Sequence, residues 1–162
     1  NINILSNKKY IPSWRSLISH VPQTVFLLDA TIEENIALVN KTENIDREML
    51  LKCIEIAQLK ELVDKSSKGL KTVIGERGVL LSGGEIQRIG IARALYGKAE
   101  ILIFDEATSA LDKYTEELIM NSINKLDPGL TIISVAHRLN TLSKCNSIYK
   151  IQNNNLIQVD EN

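Results

Sequence analysis

Apolar positions change their spacing several times along the chain, and each change predicts an element. Ile2 and Ile4 alternate with Asn1 and Asn3, and Leu17-Ile18 leads into Val21-Pro22-Gln23, so residues 1–23 read as strand remnants. From Thr31 the period lengthens. Thr31 is a predicted N-cap, with Glu34 three residues on completing a capping box ahead of Ile36, Ala37 and Leu38. Met49, Leu50, Cys53, Ile54 and Ala57 share one helical face in a segment from Asp46 to about Leu59. A short helical turn follows over Leu59 to Val63, and Lys68-Gly69 breaks it. Gly75-Glu76-Arg77-Gly78 is loop, and a further helix is predicted from about Gly84 to Leu95.

The second part of the chain reads differently. Ile101 to Phe104 is a continuous apolar run of strand length, the pattern of a parallel strand covered on both faces. Asp112 can cap a helix from Lys113 to about Leu126, Pro128-Gly129 turns the chain, and Thr131 to Val135 predicts a second buried strand. Asn153-Asn154-Asn155 sits between two short apolar segments and predicts a hairpin, because Asn tolerates positive φ. Helices followed by strand–helix–strand predict an α/β fold: a parallel-sheet core carrying an inserted helical subdomain.

Composition narrows the function classes. The 162 residues suffice for one domain, and 44% hydrophobic with 24% charged residues is ordinary for a globular protein. Nineteen Lys+Arg against 20 Asp+Glu leave a formal charge of -1, so nothing in the charge calls for a nucleic-acid partner. Cys53 and Cys145 form no ligand or disulfide pattern, and Cys53 reads as a buried thiol. No apolar run approaches the ~20 residues that span a bilayer.

Three segments carry candidate chemistry. Leu81-Ser82-Gly83-Gly84-Glu85 places two glycines after a serine at a helix start, where backbone N–H groups and the helix dipole favour an anion. The strand Ile101–Phe104 ends in Asp105-Glu106, at the sheet edge where α/β folds bind ligands. There Asp105 can hold Mg²⁺ through water, and Glu106 can polarise an attacking water. The strand Thr131–Val135 leads to Ala136-His137-Arg138, which sets His137 at that same edge.

Together these residues resemble the ATP-binding-cassette (ABC) family from roughly Asn1 to Asp160. Leu81 to Glu85 resembles its signature motif, with Glu85 where Gln is commoner. Ile101 to Glu106 resembles Walker B, Ser109-Ala110-Leu111-Asp112 the D-loop, His137 the switch histidine and Gln23 the Q-loop glutamine. The resemblance divides the chain into a core segment with the Q-loop (1–30), a helical subdomain with the signature (31–97) and a core with Walker B, D-loop and switch His (98–162). The implied fold is an incomplete P-loop NTPase-like core. The implied cofactors are ATP and Mg²⁺, with Asp105 and Gln23 at the metal and Glu106 and His137 catalytic. Gln23, Ser82, Gly83, Gly84, Glu85, Asp105 and Asp112 are implied at the nucleotide. The signature would act in trans, on nucleotide held by a second ABC ATPase domain in a head-to-tail dimer.

Thr72 to Gly78 and Thr31 to Ile36 further resemble exporters, in which the Q-loop region and Gly75–Gly78 would touch transmembrane domains at the cytoplasmic face of a membrane. Trp14 and Phe26 to Asp29 resemble exporters of lipids or lipid-linked saccharides. Soluble ABC ATPases of DNA repair or translation are a competing reading, as is a non-catalytic subunit that lends its signature to a partner. The pattern G-x-x-x-x-G-K-[ST] occurs nowhere in the sequence. Without that cradle the chain alone is expected to bind Mg-ATP weakly and not to hydrolyse it at a useful rate, and the missing first strands of the family's core are expected to leave sheet edges and apolar surface uncovered.

Overall fold

The computed structural model describes residues 11–38, 44–75, 81–126, 129–136, 142 and 145–159. Its order is α1 (Ile11–Arg15), β1 (Ile18–Val21), α2 (Ile32–Ala37), α3 (Arg47–Ile56), α4 (Lys60–Lys65), a short 3₁₀ turn (Gly69–Lys71), α5 (Gly83–Tyr96), β2 (Ile101–Asp105), α6 (Lys113–Asn124), β3 (Thr131–Val135), β4 (Ile148–Gln152) and β5 (Asn155–Val159).

Strands β1, β2 and β3 form a parallel sheet in that order. Ile18 stands opposite Ile101 and Val21 opposite Phe104, and Asp105 pairs with Val135. Parallel strands need long crossovers. Here α2 to α5 fill the first and α6 the second.

Local chemistry explains the helix starts. Thr31 accepts from the Glu34 N–H while the Glu34 carboxylate accepts from the Thr31 N–H, a complete capping box. Ser82 and Glu85 repeat the device at α5, which begins at Gly83. Asp46 caps α3 through the Met49 N–H, and Asp112 caps α6 through the Thr115 N–H.

The core is built around α5. Ile89, Ile91 and Ala92 have no exposed surface, and they pack with Ile32 and Ile36 of α2, Leu50 and Cys53 of α3, and Leu102 of β2. Burial pushes the Cys53 thiol up to about 11, so it stays protonated near neutrality. One buried carboxylate, Glu33, is matched by the Arg47 guanidinium, which satisfies a charge that would otherwise be costly to bury.

Two expectations change. Residues 11–15 are helical rather than a strand remnant: Pro12 lies in the first turn, where its missing N–H costs nothing, and its carbonyl accepts from Ser16. Residues 1–10, the rest of that reading, lie outside the described residues. Strand β3 is not covered on both faces. Among the described residues it pairs with β2 alone, and Ile133 and Val135 are about half-exposed.

The hairpin forms as predicted, with Asn153 and Asn154 at φ 51° and 62°, the geometry of a two-residue turn. Its strands also expose apolar side chains, Ile151 at 77% and Leu156 at 67%. Apolar side chains are thus exposed along β3, β4 and β5.

Candidate functional site

Parallel pairing brings the carboxyl ends of β1, β2 and β3 to one edge, so Gln23, Asp105-Glu106 and Ala136 leave the sheet together. The Gln23 side-chain amide donates to a Glu106 carboxylate oxygen at 2.8 Å, across a separation of 83 residues. Glu106 itself has φ 49°, the left-handed region that a residue with a side chain seldom occupies. The backbone on either side holds it there: its N–H donates to the Val135 carbonyl at 2.9 Å, and its carbonyl accepts from Ser109 at 3.0 Å. Strain held in this way at a strand exit is characteristic of functional sites. Asp105 is half-exposed and lies 3.8 Å from His20 Nε2.

A second group forms at the start of α5. Ser82 and Gly83 are exposed, and the Ser82 hydroxyl lies 2.7 Å from Glu85 Oε2. Glu85 is thus engaged in organising the helix start. A Cβ added at Gly84 would come within 3.3 Å of the Ala110 carbonyl, whereas at Gly83 the nearest atom is the Ala110 methyl at 3.9 Å. The loop 109–112 therefore packs against the two glycines. Asp112 anchors that loop: its carboxylate accepts from the Thr115 N–H and hydroxyl, and these bonds hold its pKa below the usual carboxylate value. Thr108 is tied to the same helix through Glu116 at 2.8 Å.

Of the predicted site residues, the structure gathers Gln23, Asp105 and Glu106 at the sheet edge, and it sets Gly83 and Gly84 beside Ala110 and Leu111, next to Asp112 in sequence. His137, Glu76, Arg77 and Gly78 lie outside the described residues. The oxygen donors at the edge suit a hard cation, which binds through one or two carboxylates and water. They make no closed cage: among the described residues no three His, Cys, Asp or Glu converge as metal ligands. Partial donation of this kind fits a metal that is also held by phosphates.

Sequence reading missed the residues that fix the segment after β1. Asn35 is fully buried and binds both the N–H and the carbonyl of Leu28, at 2.8 and 3.0 Å. Arg93 donates to the carbonyls of Phe26 and Asn35, each at 2.9 Å. His20 was also missed as a neighbour of Asp105. No local spacing announces these contacts; Arg93 and its two carbonyl partners lie 58 and 67 residues apart.

A family model described as ABC transporter matches residues 2–109, about two-thirds of the chain. The chain belongs to the ABC transporter family. Its ABC relatives include ABC transporter B family member 6 of Dictyostelium discoideum, 41% identical over 90% of this chain and 21% of that protein. The ATP-dependent lipid A-core flippase of Escherichia coli K12 is 40% identical over 91% of this chain and 25% of its own length. A solved bacterial Atm1-family ABC exporter with ATP bound superposes with a TM-score of 0.81 at 37% identity, over 88% of this chain and 24% of that one. The ABC fold and the family's ATP-binding character follow, and the chain spans 21–25% of the curated relatives. Among the described residues, no helix is long and apolar enough to cross a membrane.

Proposed function

We propose that this chain is the catalytic and partner-facing portion of an ABC ATPase unit that drives export across a membrane. The observation that carries the reading is the bond between Gln23 and Glu106 at the edge where all three parallel strands end. It sets a carboxylate beside an amide on the side of the sheet where a terminal phosphate and its water would lie.

In this reading bound Mg-ATP supplies the phosphoryl group and the charge that its metal offsets. Asp105 would hold the metal through water, and the Gln23 amide oxygen would be available as a further ligand. Glu106 orients the attacking water and accepts its proton, and Gln23 holds Glu106 in position. His137 would contact the terminal phosphate. Ser82, Gly83 and Gly84 act on nucleotide bound to a second ATPase domain, where the α5 N-terminus offers donors and a positive dipole end. Asp112 holds the loop that backs those glycines, and Glu85 fixes their helix start. The exposed apolar side chains Phe26, Leu28 and Val73 suit contact with transmembrane domains at the cytoplasmic face, along with Gly75–Gly78. Flippase and exporter relatives favour outward transport, and the lipid A-core flippase favours lipid-like cargo.

Gly83→Asp tests the reading. A side chain fits at Gly83 without a clash, so folding should persist while a carboxylate meets the incoming phosphate. Phosphate release by the polypeptide that carries this chain should fall by about tenfold or more, the effect of spoiling an anion-stabilising group. Turnover equal to the native protein would refute the role of the glycines.

A further inference from the structure

Between Pro22 and Thr31 the chain leaves the sheet and forms no ladder, so its backbone polar groups need other partners. One face of α5 supplies several of them. Gln87, Gly90 and Arg93 recur at every third position, and each meets the segment in turn. The buried Gln87 amide donates to the Pro22 carbonyl at 3.2 Å. Gly90 lies so close to Val25 that an added Cβ would stand 2.5 Å from a valine methyl. Arg93 Nη1 reaches the Phe26 carbonyl, while its Nε holds the Asn35 carbonyl. Asn35 then secures Leu28 from the other side.

Gln23 lies inside this grip, one residue beyond the carbonyl that Gln87 holds. The helix that grips it is capped by Ser82, a residue proposed to face the second domain's nucleotide. We infer that Gln87 and Arg93 are positioning residues that lock the Gln23 segment to α5, so that Gln23 of one nucleotide site and the Ser82–Gly84 face offered to the other move as one body. This rests on the proposed function for its consequence, though the lock itself is a matter of packing. A displacement of α5 by nucleotide at its N-terminus then reaches the Gln23–Glu106 bond, and linkage makes the effect reciprocal. The two nucleotide sites of a dimer would be coupled through one helix face that touches neither nucleotide.

The test uses the complete polypeptide that carries this chain, with two substitutions that retain bulk. Gln87→Met keeps the volume and loses the donor. Arg93→Lys keeps the charge, but one ammonium cannot span the two carbonyls that the guanidinium fork reaches. Amide hydrogen exchange over residues 23–28 should accelerate by about tenfold, with α3 unchanged. ATP turnover at saturation should fall severalfold while KM for ATP stays near its native value. Unchanged exchange over 23–28 would overturn the lock, and so would acceleration spread evenly over α3 and α5. Faster local exchange with native turnover would overturn its functional consequence. Absence of turnover in the native polypeptide would refute the ATPase reading instead, and the exchange measurement would still decide whether the lock exists.

Discussion

Glu106→Gln is expected to lower ATP turnover by about 10²–10⁴-fold in the polypeptide that carries this chain, the range for loss of a positioned general base. The substitution changes one atom in the side chain and leaves the backbone to be held as before, through Val135 and Ser109. The φ of 49° is therefore retained. What disappears is the charge and the basic oxygen facing the attacking water. The Gln23 amide would still find an acceptor, because the new side chain keeps a carbonyl oxygen. Binding of Mg-ATP should persist, since Asp105 and the phosphate-binding residues are untouched. A kcat that falls with little change in nucleotide affinity is the signature of a group acting in the transition state. Steady-state phosphate release with parallel nucleotide-binding measurements checks this. Turnover within about twofold of native would remove Glu106 from the chemistry.

The largest expected effect on stability lies at Ile89. Its side chain is fully buried in the cluster that joins α5 to α2, α3 and the sheet. Ile89→Ala removes three carbons from a site closed on every side, and should destabilise by about 2–5 kcal/mol. A domain of this kind holds only ~5–15 kcal/mol in total, so the loss is a large share. Ile151→Ala makes the control, because that side chain is 77% exposed in β4. It should shift stability by no more than about 0.5 kcal/mol. Urea unfolding of the two variants, compared at equal m, separates them. Equal midpoints would mean that the helical layer does not share one core.

What was legible in the sequence was mostly local. Thr31 with Glu34 announces a capping box within three residues, and Asp112 announces a helix start as a single cap, whereas the box of Ser82 with Glu85 emerged only in the structure. Asn153-Asn154 states its turn through its own φ preference. The functional residues came from motif order, since Gln23 and Glu106 are 83 residues apart and only the parallel register joins them.

The misreadings were also physical. The short, mostly apolar run of β3 matches that of a covered strand, and nothing in five residues states which of its faces another element will cover. Pro12 and Ser13 hold too short a helix to show a period. Arg93 is one charge between two alanines of α5, and nothing beside it in sequence marks its role. Its partners are backbone carbonyls, which have no residue type to recognise.

In the proposed function, Glu106 and the Ser82–Gly84 face of one copy serve different nucleotides. Mixed dimers test it directly, with two copies of the carrying polypeptide tagged differently and purified as pairs. When Glu106→Gln sits in one copy and Gly83→Asp in the other, both defects fall on one nucleotide site and the second stays intact. When both substitutions sit in the same copy, each site carries one defect. The first pairing should retain at most about half of native phosphate release, reduced further by any coupling of the sites, and the second pairing should retain clearly less. The reverse, with activity surviving only when both changes share a copy, would mean that the signature serves its own chain's nucleotide and would contradict the account.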